Sequence, residues 1–161
     1  MQKKTLIVAI IVLILDQVSK IIVNNTLTKQ LVLIPNFFNL TLYHNDGVAW
    51  SMLASHRVLI IVITIIAMII IYRFMYCFKQ NTRNNIAFGL LLGGLSGNLL
   101  DRLITGSVTD FLDFIIFRYD FPVFNIGDIG IVIGVLLLIY AIIKGEDTSE
   151  DNSEKEPRKT R

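Results

Sequence analysis

Seven aspartates precede the last seventeen residues of the chain: Asp16, Asp46, Asp101, Asp110, Asp113, Asp120 and Asp128. They are the side chains best placed to do chemistry, because little else offers any. There is one cysteine, Cys77, which excludes an internal disulfide and most cysteine-based metal sites. The two histidines, His44 and His56, could hold a metal only with carboxylate help. No metal or other cofactor is therefore expected. No serine–histidine or cysteine–histidine arrangement is as well placed for nucleophilic attack.

Two carboxylates close together in a low-dielectric site cannot both ionise, so they share one proton. The ionised one takes a proton from water, and the protonated one hydrogen-bonds the carbonyl under attack. This is general acid–base hydrolysis without metal or covalent intermediate. Asp110, Asp113 and Asp128 are the candidates. Asp110 and Asp113 sit among apolar neighbours, and the chain from Asp110 to Asp128 must return from the end of one apolar segment to the start of the next, so that two carboxylates can meet. Asn98, Asn125 and Arg102 lie at the same depth and could orient a peptide or stabilise a tetrahedral oxygen. The other aspartates have plainer readings. Asp16 and Lys20 are four apart on one helix and make a natural ion pair. Asp101 and Arg102 end an apolar segment, where side chains can snorkel to the interface. Asp46 and Asp120 fall in expected loops, solvated. Three functions stay open on spacing alone: a hydrolase, a small proton- or ion-coupled transporter using Asp16, Asp113 and Asp128, and an assembly factor whose aspartates bind a partner. A transporter favours polar groups near the midplane and an internal repeat. Here the polar groups collect near one interface, and the halves show no repeat.

The elements that must position these groups are apolar. The chain is 53% hydrophobic and 17% charged, with mean hydropathy +0.62. Four segments approach the ~20 residues that a membrane-crossing helix needs: about 5–23, 58–78, 86–101 and 124–143. The first follows Lys3 and Lys4 but is continued by Asp16, Gln17 and Lys20 without a small-residue cleavage site, so it reads as a retained span. The expected fold is an all-α membrane protein with four transmembrane helices and a small extracytoplasmic β-sheet. Lys3, Lys4, Arg73, Lys79, Arg83, Lys144, Lys155, Arg158, Lys159 and Arg161 share the side of the termini. Lys20, Lys29, Arg57, Arg102 and Arg118 share the other, which predicts cytoplasmic termini. All seven aspartates then map to the outer half of the membrane or beyond.

Gly89, Gly93 and Gly97 on the third span, and Gly130 and Gly134 on the fourth, recur every four residues and allow close helix approach in lipid. The outer loop 24–57 contains strand-like alternation over Phe37–His44 and a second candidate strand, Leu31–Ile34. A small sheet at the membrane surface would account for a loop that is apolar but does not span. Residues 1–144 form one membrane domain, and 145–161 read as a disordered charged cytoplasmic tail. A net charge of +2 gives no reason to expect nucleic acid.

Five ordered motifs carry a resemblance. They are Asp16-Gln-x-x-Lys20, Asn45-x-Gly47, Gly93-Gly-x-x-Gly-Asn98-x-x-Asp101-Arg102, Val108-x-Asp110-Phe-x-Asp113 and Phe124-Asn125-x-x-Asp128. In them the chain resembles the bacterial lipoprotein signal peptidases (signal peptidase II). The resemblance implies an aspartyl endopeptidase of the bacterial plasma membrane. Its partner would be a diacylglyceryl-prolipoprotein, whose signal peptide it cuts before the lipidated cysteine, with membrane lipid around an expected monomer. Carried over by motif, Asp110 and Asp128 are the catalytic pair. Asn45, Gly47, Asn98, Arg102 and Asn125 support the dyad or contact substrate. Asp16 and Lys20 brace the first span, and Asp101 and Asp113 give local support. The family's sheet cradles substrate, and Phe37, Phe38 and Trp50 are candidate lipid contacts. The chain departs from the family at Val48, where Ala or Phe is common after Asn-x-Gly, and at Gly127, where Ala is common. Gly127 is expected to loosen the start of its helix.

Overall fold

A computed structural model describes residues 2–47 and 56–147. Trp50 and most of the charged tail lie outside the described residues. Helix α1 (Lys3–Thr26) leads into strands β1 (Leu31–Ile34) and β2 (Phe38–Asn45). Helix α2 (Arg57–Phe74) ends in a 3-10 turn, Met75–Cys77, and α3 (Thr82–Ile104) runs back. Strands β3 (Val108–Ile116) and β4 (Tyr119–Asp120) precede α4 (Ile126–Ile143). All four helices are long and apolar enough to cross a membrane. Their internal hydrogen bonds satisfy the backbone, as a lipid environment requires.

The third helix is the hub. It is the least apolar of the four and the most buried, packing against α1, α4 and, less extensively, α2. It begins at Thr82, before the expected 86, because the Asn81 side chain accepts the Asn84 N–H at 2.8 Å and caps it. The glycine stripes set its distance from its neighbours. A Cβ on Gly97 would lie 2.2 Å from Asp16 Oδ2, and one on Gly94 would lie 2.2 Å from the Gly127 carbonyl oxygen. Gly89 and Gly93 meet α1 at Val8, Ala9 and Val12, while Gly130 and Gly134 meet α3 at Leu90 and Ala87.

The expectation of an all-α protein understates the sheet. Both strands expected between the first two helices form, and β3 and β4 join them from the α3–α4 connection in the antiparallel order β1-β2-β3-β4. The run Val108–Ile116 reads as an apolar stretch around aspartates, yet its β-branched and aromatic residues favour a strand. Register places Tyr43 opposite Asp110 and Asn39 opposite Asp113. The sheet sits where α1 and α3 end and α2 and α4 begin, and all seven aspartates lie towards that end. Asp46 and Asp120 are exposed there, Asp120 as the last residue of β4.

The opposite end is closed by Glu146. Its backbone accepts from the Lys79 N–H at 2.8 Å, and its carboxylate accepts from Asn81 and Asn84 and pairs with Arg83. Arg83 also lies over the Tyr140 ring at 4.6 Å. Residues 145–147, expected to be part of a disordered tail, are thus tied to the start of α3. Arg83 first, then Asn81, holds the Glu146 carboxyl down at about 2.

Two outcomes follow from this packing. Gly94→Ala forces a Cβ onto backbone of α4, and overpacking of this kind costs about 1–3 kcal/mol. A lowered midpoint of thermal unfolding in detergent micelles checks it. For Glu146, a depressed carboxyl adds stability that is complete above the ordinary carboxylate range and lost as pH falls towards about 2. Glu146→Gln therefore unfolds earlier than the parent protein at neutral pH, and the two melting curves converge as pH approaches that value.

Candidate active site

A cavity of about 580 Å³ opens below the sheet. Asn98 and Arg102 come to it from α3, Asp110 and Val108 from β3, Asp128 from α4 and Asn45 from the end of β2. Its remaining wall is apolar: Ile60 of α2, Leu95 of α3, Ile129 and Val132 of α4, and the Phe121–Phe124 segment. Thr64 adds a hydroxyl, but that hydroxyl donates to the Ile60 carbonyl at 2.8 Å.

The two expected carboxylates meet here through asparagines. Asn125 Nδ2 donates to Asp110 Oδ1 at 2.6 Å and to Asn98 Oδ1 at 3.1 Å. Asn98 Nδ2 donates to Asp128 Oδ1 at 2.8 Å. Asn45 Nδ2 donates to Asp110 Oδ2 at 3.0 Å. Asp128 is placed by a capping box, in which it accepts the Asn125 N–H at 3.1 Å and its own N–H donates to Asn125 Oδ1 at 3.0 Å. Helix α4 therefore starts at Ile126, and Asp128 belongs to its first turn.

Asp110 is 2% exposed. Burial pushes its carboxyl up to about 6, the Asn45 hydrogen bond opposes this, and the neighbouring Asp128 charge adds to it. Desolvation thus favours the protonated form of one member of a close pair, the condition for sharing a proton.

Asp101 and Arg102 do not snorkel. Both are buried, because the sheet and α1 cover the end of α3. Asp101 accepts from Gln17 at 2.8 Å and from the Thr109 N–H at 3.1 Å, and pairs with Lys20 at 3.0 Å. Arg102 donates to the Gly47 carbonyl at 2.6 Å and to the Asn98 carbonyl at 3.2 Å. Its Nε finds no hydrogen-bond partner among the described residues. Gly47 is held from its other side by Asn45 Oδ1, which accepts its N–H at 3.0 Å.

The Asp16–Lys20 pair forms at 2.7 Å, fully inside the protein. It does more than brace α1. Lys20 also donates to Asn98 Oδ1 at 2.9 Å, which fixes which end of that amide faces Asp128. Asp16 Oδ1 accepts the Gly127 N–H at 2.8 Å. Gly127 does not loosen its helix: it lies in the capped first turn, where a Cβ would meet Asp16, Asn125 and the Gly94 carbonyl, each at 3.1 Å. Asp113 stands apart from the cavity and takes hydrogen bonds from Gln30, Asn39 and Thr41, joining the strands.

A model of the Signal peptidase (SPase) II family matches residues 8–144. The chain belongs to the signal peptidase II family. A lipoprotein signal peptidase of Staphylococcus aureus is 39% identical to it over 154 residues, covering 94% of both chains. Another, from S. aureus strain JH9, is 41% identical over 155 residues, covering 94% of this chain and 93% of that one. A solved bacterial membrane enzyme, determined in meso at 2.3 Å resolution, superposes with TM-score 0.79 at 38% identity, covering 98% of this chain and 94% of that one. A second such structure, at 1.9 Å, gives 0.77 at 40% identity over 87% and 92% of the two chains. The match to signal peptidase II thus spans both the helices and the strands that line the cavity.

Gln17 and Thr109 are the site residues that spacing did not single out. Gln17 Nε2 donates to Asp101, to Asp16 at 3.3 Å and to the Gly97 carbonyl at 3.2 Å. Thr109 accepts from Asn24 at 3.0 Å while its N–H is held by Asp101. Gln17 lies within the first signal peptidase II motif, beside Asp16, and that adjacency was its available signal.

Removing the cation from this cluster leaves two buried carboxylates facing each other. Breaking one side of a buried ion pair costs about 3–5 kcal/mol. Lys20→Met is expected to show that loss in detergent-solubilised protein, read as reduced resistance to thermal unfolding.

Proposed function

We propose that this chain is an aspartyl endopeptidase of the bacterial plasma membrane. It removes the signal peptide from diacylglyceryl-modified prolipoproteins, cutting before the lipidated cysteine. The observation that carries the reading is the pair Asp110 and Asp128. They lie on one apolar-walled cavity and are linked to each other through Asn125 and Asn98. Membership of the signal peptidase II family and the names of its relatives supply the substrate class.

In this reading the termini are cytoplasmic, the sheet lies on the outer face, and one chain carries the whole site. The signal peptide is itself an apolar helix and lies along the α2 and α4 side chains of the cavity wall. Its diacylglyceryl chains hold the scissile bond at the depth of the dyad, so position in the bilayer supplies orientation. Water enters between the carboxylates. One aspartate, ionised, takes a proton from that water as its oxygen attacks the carbonyl carbon. The other, protonated, donates to the carbonyl oxygen. The proton taken from water then passes to the leaving nitrogen as the C–N bond breaks. The hydroxyl formed from the carbonyl oxygen returns its proton to the second aspartate as the new carbonyl forms, and the pair again holds one proton.

Both amide hydrogens of Asn125 and one of Asn98 are already committed inside the site. Their role in this mechanism is to hold the dyad rather than to grip the peptide. Arg102 acts with Asn45 to fix Gly47, next to the Asp110 carboxylate that Asn45 also holds. The transporter alternative draws no support from Asp113, whose carboxylate binds strand side chains away from the cavity.

The test is cleavage of a prolipoprotein by purified protein, followed by gel shift, with and without the diacylglyceryl group. The lipidated form is cut and the unmodified form is not. Asp110→Asn and Asp128→Asn each lower turnover by about 10²–10⁴-fold, the usual worth of a general acid or base. Both variants keep the parent's elution volume in size-exclusion chromatography. Normal turnover by either one removes the dyad, and equal cutting of both substrates removes the lipid requirement.

A further inference from the structure

Strand β3 leaves the helix bundle as it runs. Its first four residues are buried, and Ile116 at its end is exposed. At about 3.3 Å per residue, it carries its far end roughly 26 Å from Val108. There the chain reverses through Phe117 and Arg118, with φ of 51° and 65°. Two successive left-handed residues make the tight hairpin that Asn-Gly serves best, and a bulky aromatic there is strained. Phe117 is nevertheless 100% exposed, so nothing within the described residues repays that strain.

The β1–β2 turn stands beside it. Phe38 is paired with Phe114, and the Ile115 N–H donates to the Phe37 carbonyl at 2.9 Å. The Phe37 ring meets Phe114 edge-on at 5.6 Å. Both hairpin tips therefore lie on one edge of the sheet. Ile34, Phe37, Ile116, Phe117 and Tyr119 are all exposed along it. Exposed apolar side chains gathered in one place mark a protein or membrane contact. Strand β1 favours the membrane. All four of its residues, Leu31–Ile34, are exposed, so both of its faces are apolar and open. A folded partner seats on one face, whereas a fluid apolar phase wets both. Strand β1 begins only four residues after α1, one of the four helices long and apolar enough to cross a membrane, so it stands near the end of a span. Phenylalanine and tyrosine beside Arg118 is the composition of a bilayer interface, where the cation reaches the headgroups.

We propose that the paired hairpin tips are a membrane anchor, with Phe117 inserted among the acyl chains and Arg118 at the phosphates. Asp110 is on the same strand as this tip, so the anchor also sets the height of the cavity relative to the lipid. The anchor itself rests on the four-span fold and not on the catalytic reading, and its test involves no cleavage.

The chain has a single tryptophan, Trp50. In a Trp50→Phe background, Phe117→Trp becomes the only indole. The full-length protein is reconstituted in phosphatidylcholine–phosphatidylglycerol vesicles with or without brominated acyl chains. Blue-shifted emission, most of it lost to the brominated lipid and little of it to aqueous iodide, is the expected result. Emission as red as that of free tryptophan, quenched by iodide and unaffected by bromine, would overturn the anchor. If Phe117→Trp does not fold, Tyr119→Trp in the same background reports on the same edge by the same criteria.

Discussion

The arrangement depends on a single buried ammonium group. Lys20 Nζ is enclosed with Asp16, Asp101 and Asn98, and the residue is 2% exposed. A charge inside a membrane-spanning bundle is tolerated only when it is paired and hydrogen-bonded. That requirement ties three helices together. Asp16 reaches from α1 to the Gly127 N–H at the start of α4, and Asp101 reaches from α3 to the Thr109 N–H at the start of β3. Moving any one of these elements would strand a charge in a low-dielectric interior.

Such a cluster needs helices closer together than large side chains permit. Gly97 supplies the space beside Asp16, and Gly94 lets the α3 and α4 backbones meet at Gly127. Small residues and buried charge are therefore one device. The glycines allow the approach, and the ion pairs and the Gln17 amide make the approach specific. Helix–helix association in lipid lacks the hydrophobic driving force available in water, so close packing and interhelical polar contacts carry more of the burden.

The cluster also reaches the candidate dyad. Lys20 holds Asn98 Oδ1, which leaves Asn98 Nδ2 to face Asp128, and Asn125 completes the path to Asp110. Each asparagine has both a donor and an acceptor end, so fixing one end fixes the other. The polar chain from α1 to β3 thus has a single orientation. The burial that makes Lys20 need its partners also pushes the Asp110 carboxyl up to about 6.

Much of this was legible in the sequence. Apolar run length gave the four helices, and the alternation after Asn36 gave β2, because both signals are local and periodic. The spacing of Asp16 and Lys20 gave their ion pair, and the five motifs gave the family. Helix α4 starts at Ile126 and not at the expected 124, because Asn125 and Asp128 close a capping box. What only the tertiary structure decided is which polar groups share a partner. Asp101 and Arg102 read as interfacial because they end a span, yet β3 and α1 fold over them. Strand β3 read as an apolar stretch around aspartates, and it becomes a strand because β2 offers it a ladder. Gly127 read as a weakness in its helix, and the Asp16 carboxylate, far away along the chain, is what occupies its space. Periodicity reports the face that a segment buries against its surroundings. It carries no information about which distant carboxylate, amide or ammonium group will be waiting there.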